Sequence, residues 1–152
     1  MQKIFLNVKH LKQRKAFTCV PACVRMVLLY WGLDRAEEDI EAILKTTSHG
    51  TKARDVGRMQ DIGVSADAHP ASWFELLSLL REGVPSIVFL WTGRLEYRNT
   101  GCWHAVVVVG VEEDVIYIND PFFPDAPKKV ALQSFLDAWS CYDFMLVELR
   151  VS

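Results

Sequence analysis

The sequence predicts an α+β domain, with helices gathered in its N-terminal part and an antiparallel sheet in its C-terminal part. Three observations carry this. Cys19–Trp31 is apolar on nearly every side, and Arg25 is its only charge before Asp34; a helix apolar all round sits inside a domain rather than on it. Trp103–Val111 and Val115–Asn119 are apolar runs joined by the acidic turn Glu112–Asp114, which is a hairpin signature. Helical patterns come first and strand patterns after, rather than alternating as in a parallel sheet. A length of 152 residues fits one domain over 1–152, large enough to bury a core.

Taken in order, Ile4–Val8 reads as a short strand and Lys9–Phe17 as a basic lead-in loop. Thr18 is the expected N-cap of the buried helix. Pro21 is tolerated in a first turn, where its missing N–H would go unpaired, and Gly32 can end the helix. Asp34 with Glu37 three residues on reads as a capping-box variant. It opens a helix to about Leu44, with Ile40, Ile43 and Leu44 at helical spacing. Thr46–Gly50 is loop, Thr51–Ile62 a short polar helix stopped by Gly63, and Val64–His69 a strand. Ser72 and Glu75 form a second capping box, leading a helix to about Arg81 with Phe74, Leu77 and Leu80 on its core face. Pro85–Trp91 is apolar and β-rich, and Thr92–Gly101 is a polar turn region. After the hairpin, Asp120–Pro127 holds three prolines and cannot be a central strand. Gln133–Trp139 reads as a short helix and Tyr142–Val151 as the closing strand.

The net charge of −2 leaves no electrostatic footprint for nucleic acid or an anionic membrane. The apolar run near the N-terminus is too short for a signal peptide. The longest continuous apolar run, Ala105–Val111, has strand length, so no membrane span is expected. A cytoplasmic chain with reduced cysteines is the expectation.

Chemistry enters at Cys19, the first residue of the expected buried helix. A thiolate there is favoured by the helix dipole and by free backbone N–H groups. Such a nucleophile needs a base. Among the histidines, His104 stands apart because it heads the most apolar strand pattern in the chain. Residues 104 and 120 are equidistant from 112, so a hairpin centred near Glu112 or Glu113 brings Asp120 beside His104. An acid beside an imidazole fixes its tautomer and stabilises its protonated form. Gln13, six residues before Cys19, is a candidate donor to an oxyanion.

With Q-R-K-A-F-T-C-V-P-A-C, C-W-H-A-V-V-V-V-G-V and V-I-Y-I-N-D-P in this order, the chain resembles the papain-like cysteine peptidases. Within them it resembles the bacteriocin-processing C39 peptidases and their stand-alone C39-like relatives. The resemblance implies a papain-like fold, an N-terminal helical part packed on an antiparallel sheet with the site in the cleft between. It implies Cys19 as nucleophile, His104 as general base, Asp120 as its orienter and Gln13 as oxyanion donor. It also implies a peptide or protein substrate, with association with an exporter left open. C39 processors carry an acidic residue before the nucleophile and glycine after it; here Thr18 and Val20 flank it, which implies a differently shaped cleft.

Other readings stay open at this stage. Cys23 reads as core filler and as the fallback nucleophile, and Cys102 and Cys141 as packing residues. Cys19, Cys23, Cys102 and His104 are a conceivable zinc set, but their spacing on a helix and a strand suits zinc poorly. No cofactor is called for. His10, His49 and His69 read as solvated loop residues. An acyltransferase or amidase would use the same thioester as a peptidase, and a non-catalytic peptide-binding domain would keep the same fold.

Overall fold

A computed structural model of the chain describes residues 3–98 and 100–151. In chain order the elements are β1 (Ile4–Phe5), α1 (Cys19–Tyr30), α2 (Glu37–Leu44), a 3₁₀ segment (Ala53–Ile62), β2 (Val64–Pro70) and α3 (Trp73–Arg81). Then come β3 (Ser86–Trp91), a 3₁₀ turn (Thr92–Arg94), β4 (Trp103–Glu112), β5 (Val115–Asn119), β6 (Lys128–Ala131), α4 (Leu132–Ser140) and β7 (Met145–Val151). The strands form one seven-stranded sheet in the order β2-β7-β3-β4-β5-β6, with β1 added on β4. Every pairing is antiparallel.

The α+β class and the antiparallel sheet are as expected, but the layering is richer. Along β4, Ala105, Val107 and Val109 pack into a cluster with Val20, Val24 and Val27 of α1. Val106 and Val108 pack into a second cluster with Leu76 and Leu80 of α3 and Phe135 and Trp139 of α4. Successive residues of a strand point to opposite faces, so the sheet is covered on both sides. Every residue from His104 to Val111 is accordingly buried. Each apolar side chain fully buried in this way contributes about 1.5–3 kcal/mol relative to exposure. A one-residue slip of β4 would send every side chain to the wrong cluster, so its start is held firmly in place.

Several local expectations are corrected. The core face of α3 is Leu76, Leu79 and Leu80, packed in one cluster with Val88 and Leu146 of the sheet, with Leu77 at its edge, while Phe74 is 80% exposed. Ser72 does cap α3, accepting from the Glu75 N–H at 3.1 Å, but the Glu75 carboxylate bonds His69 instead of completing the box. The second helix starts at Glu37 behind Ala36, with no side-chain cap, because Glu37 is used elsewhere. β6 falls in a stretch with no strand signal of its own and owes its state to pairing with β5. β1 is only two residues long.

The hairpin register also differs. Glu112 pairs with Val115 and Val107 with Asn119, with an irregularity between Val108 and Gly110. The turn is the tight Glu113–Asp114 pair, with Glu113 at φ +54°, so its centre lies beyond residue 112. Continued one step, that register sets Val106 across from the position of Asp120.

Candidate active site

The first helical residue of α1 is Cys19, and Thr18 occupies the N-cap position without making a side-chain cap. A capping hydroxyl accepts from the second or third helical N–H, and the third residue here is Pro21, which has none. The Thr18 hydroxyl instead accepts from the Lys15 N–H at 3.0 Å and lies against the Lys15 carbonyl and the Glu37 carboxylate. The first turn of α1 is thus left uncapped beside a partly exposed thiol.

Register alone does not bring His104 to Asp120, yet the two meet: His104 Nε2 and Asp120 Oδ1 are 2.6 Å apart. Positions offset by two across a ladder remain within reach of longer side chains. β5 ends at Asn119 and the chain turns at once into Asp120–Pro121. The Cys19 thiol is close enough to the imidazole to help raise its pKa. Cys19, Val20, Phe89, Trp103, His104 and Tyr142 all line one cleft of about 580 Å³. Trp103 is 57% exposed at its rim, braced edge-on by Trp91 and Tyr142.

Burial alone would lower the pKa of His104. The Asp120 hydrogen bond, the Cys19 contact and their negative charges outweigh it and raise the group to about 9. Burial likewise pushes Asp120 up, but His104, the Tyr97 hydroxyl and the Phe122 N–H hold its carboxyl below the usual range. The Tyr97 hydroxyl donates to Asp120 Oδ2 at 2.7 Å, the Phe122 N–H donates to Oδ1 at 3.0 Å, and Arg98 Nη1 stands 3.7 Å from Oδ2. The arrangement can therefore hold an imidazolium beside a sulfur, with a buried carboxylate fixing the ring.

Gln13 is buried next to this group but folded onto its own loop. Its side-chain amide donates to the Lys15 carbonyl at 2.8 Å and to that of Ala16 at 3.2 Å. Its backbone N–H donates to the Pro121 carbonyl at 2.7 Å. The lead-in is stitched to the end of β5 at two more points, Asn119 Nδ2 to the Val8 carbonyl and His10 Nε2 to the Phe123 carbonyl.

Other expectations shift here. His10 is not solvated but tied to Phe123. His49 is an exposed turn residue, as expected, at the edge of the cleft, whereas His69 lies in β2 and bonds Glu75. Cys23 is fully buried, and burial pushes its thiol well up. Cys141 is exposed on the cleft wall rather than packed. Among the described residues, no group of three or more His, Cys, Asp or Glu side chains is placed to hold a metal ion. Tyr97, Arg98 and Glu37 were not legible as site residues. The first two sit in a stretch whose only signal was turn chemistry, and Glu37 carried a competing capping signal.

The layered sheet with a buried helix opening at a cysteine is the fold of the C39 papain-like peptidase domains. Similar solved structures include a protein from Bacillus anthracis described as a C39-like peptidase, 15% identical with a TM-score of 0.81, covering 100% of this chain and 99% of that one. The peptidase domain of Streptococcus ComA, a bifunctional ABC transporter of a quorum-sensing pathway, is 19% identical with a TM-score of 0.79, covering 96% of this chain and 100% of that one. A double-glycine-motif protease from an AMS/PCAT transporter, solved with its leader peptide, is 20% identical with a TM-score of 0.74, covering 100% and 99%. No curated protein sequence matches the chain. The model of the Peptidase_C39 like family matches residues 5–145, and the chain belongs to that family. Among the described residues, no helix is long and apolar enough to cross a membrane.

Proposed function

We propose that the protein is a cysteine peptidase acting through Cys19, His104 and Asp120. The thiolate of Cys19 adds to a peptide carbonyl, and the carbonyl oxygen takes up the negative charge. The tetrahedral adduct collapses, the C–N bond breaks, and the His104 imidazolium protonates the departing amine. Neutral His104 then removes a proton from water as it attacks the thioester. The acid product leaves and the thiol is regenerated. Asp120 keeps its negative charge throughout and holds the ring in one orientation.

The observation that carries this is His104 bonded to Asp120 at 2.6 Å while it and Cys19 line the same open cleft. The oxyanion is received by the Cys19 N–H. Gln13 is the second donor, and its weaker bond, 3.2 Å to Ala16, is the one exchanged when substrate binds. The substrate is a peptide or protein segment. The neighbour solved with a leader peptide supports leader processing as the form the activity takes. Four free cysteines support a reducing, cytoplasmic setting.

Digestion of a peptide library tests the proposal. Wild-type protein should yield new termini at a restricted set of sequences, and Cys19→Ala should yield none. Equal cleavage by both proteins would discard it. Products joined to an added amine instead of water would move the reading to acyl transfer.

A further inference from the structure

The segment Gln13–Thr18 leads directly into Cys19 and is gripped from two sides. From one side the Pro121 carbonyl, next to Asp120, accepts the Gln13 N–H at 2.7 Å. From the other side comes α2. Glu38 and Glu41 pair with the side chains of Arg14 and Lys15, each at 3.1 Å. These pairs lie at or near the surface, where such contacts contribute little.

Glu37 is different. It is 1% exposed, and its two carboxylate oxygens accept from the backbone N–H of Arg14 at 3.1 and 3.3 Å. The Thr18 hydroxyl stands beside it and donates to the Lys15 carbonyl at 3.0 Å. Burial pushes its carboxyl up, and the Arg14 N–H and the Thr18 hydroxyl pull it back only in part. A buried carboxylate is costly unless hydrogen-bonded, and an apolar side chain of similar size would serve packing at least as well. The Arg14 N–H that bonds it and the Thr18 hydroxyl beside it both belong to the loop before the nucleophile. Thr18 closes that loop on Lys15, accepting from its N–H and donating to its carbonyl, which keeps the hydroxyl away from the Val20 N–H, the one cap partner that Pro21 leaves available.

We infer that Glu37 is a positioning residue for the oxyanion side of the cleft: it anchors Arg14, and with it the loop that Thr18 closes on Lys15, so that the first N–H groups of α1 stay in place and free for the substrate's carbonyl oxygen. The inference rests on the reading of Cys19 as nucleophile. It assigns Glu37 to stabilisation of the tetrahedral adduct, not to ionisation of the thiol.

Two probes separate those steps. Alkylation of Cys19 by iodoacetamide needs the thiolate but no oxyanion donor. A peptide aldehyde, built on a sequence the wild type cleaves, forms a tetrahedral adduct that does need one. In Glu37→Gln, kcat should fall by about 10-fold or more, less than the roughly 10²–10³-fold loss of an outright donor. KM should stay within about twofold, since only an interaction made in the transition state is lost. Aldehyde affinity should fall in step with kcat, while the alkylation rate stays at the wild-type value. Thr18→Ser, which keeps the hydroxyl, should retain both kcat and aldehyde affinity, and Thr18→Val should lose both.

Wild-type kcat and aldehyde affinity in Glu37→Gln would overturn the inference. So would an alkylation rate that drops together with kcat, which would mean that Glu37 acts on the thiol or on the fold as a whole. If Glu37→Gln fails to fold, the Thr18 pair decides by the same two readouts. A wild-type protein that cleaves no peptide, and whose Cys19 is alkylated no faster than Cys141, would instead remove the underlying peptidase reading.

Discussion

The two sides of the cleft are built differently. On the histidine side, His104 and Asp120 are buried, and Asp120 is surrounded by His104, Tyr97, the Phe122 N–H and Arg98. On the thiol side, Cys19 is partly exposed and its supporting loop is held from behind, by Glu37 and by Pro121. Charge explains the difference. A carboxylate away from water needs a partner on every oxygen, so that side is closed and saturated. The thiol side opens into the cleft, and neither Glu37 nor Pro121 is among the residues that line it.

The comparison can be broken in steps. Cys19→Ala should have the largest effect, removing about 10³-fold or more of the peptidase activity while leaving urea unfolding nearly unchanged. Loss of stability without loss of activity would invert the picture. Asp120→Asn should cost about 10²–10⁴-fold in kcat/KM, and the alkaline limb of the pH profile should move down.

That limb has a definite sign. His104 titrates near 6.5 when unfolded and near 9 here. Its contribution to stability is therefore complete below about 6.5 and is lost as pH rises through about 9. Asp120 is shifted the other way, so its contribution is lost as pH falls through its depressed value. Activity should fall as pH rises through about 9 in the wild type and earlier in Asp120→Asn. Identical limbs in the two proteins would show that Asp120 does not set the charge on the ring.

Tyr97→Phe removes one donor from Asp120 and leaves Oδ2 short of a partner. A loss of about 1–3 kcal/mol in urea unfolding is expected, with a several-fold fall in kcat and no change in Cys19 alkylation below pH 7. Glu38→Gln, on the exposed part of the thiol-side clamp, should change stability by no more than about 1 kcal/mol and leave kcat at the wild-type value. A large effect there would mean that the surface pairs, not Glu37, hold the loop.

Much of this architecture was legible in residue order. The buried helix appeared as an all-round apolar run because every residue of Val20–Leu28 except Arg25 is buried. The β4–β5 hairpin appeared because its acidic turn interrupts two apolar runs. The meeting of residues 104 and 120 was also expected, though for an inexact reason: the true register is offset by two, and the turn after Asn119 closes the gap. The helical face of α3 and the existence of β6 were not legible, since each depends on which neighbour it packs against.

By itself, the sequence determined the elements whose cause is local: where α1 begins and ends, which strands pair across a short turn, and which cysteine stands at a helix start. Tertiary structure alone decided the partners of buried polar groups: Tyr97 and Arg98 on Asp120, Glu37 on the Arg14 N–H, and Gln13 on its own loop. The physical reason is range. Apolar periodicity repeats every few residues and is written along the chain, whereas a buried carboxylate takes whichever donors the fold brings to it, and for Glu37 the backbone donor lies 23 residues away.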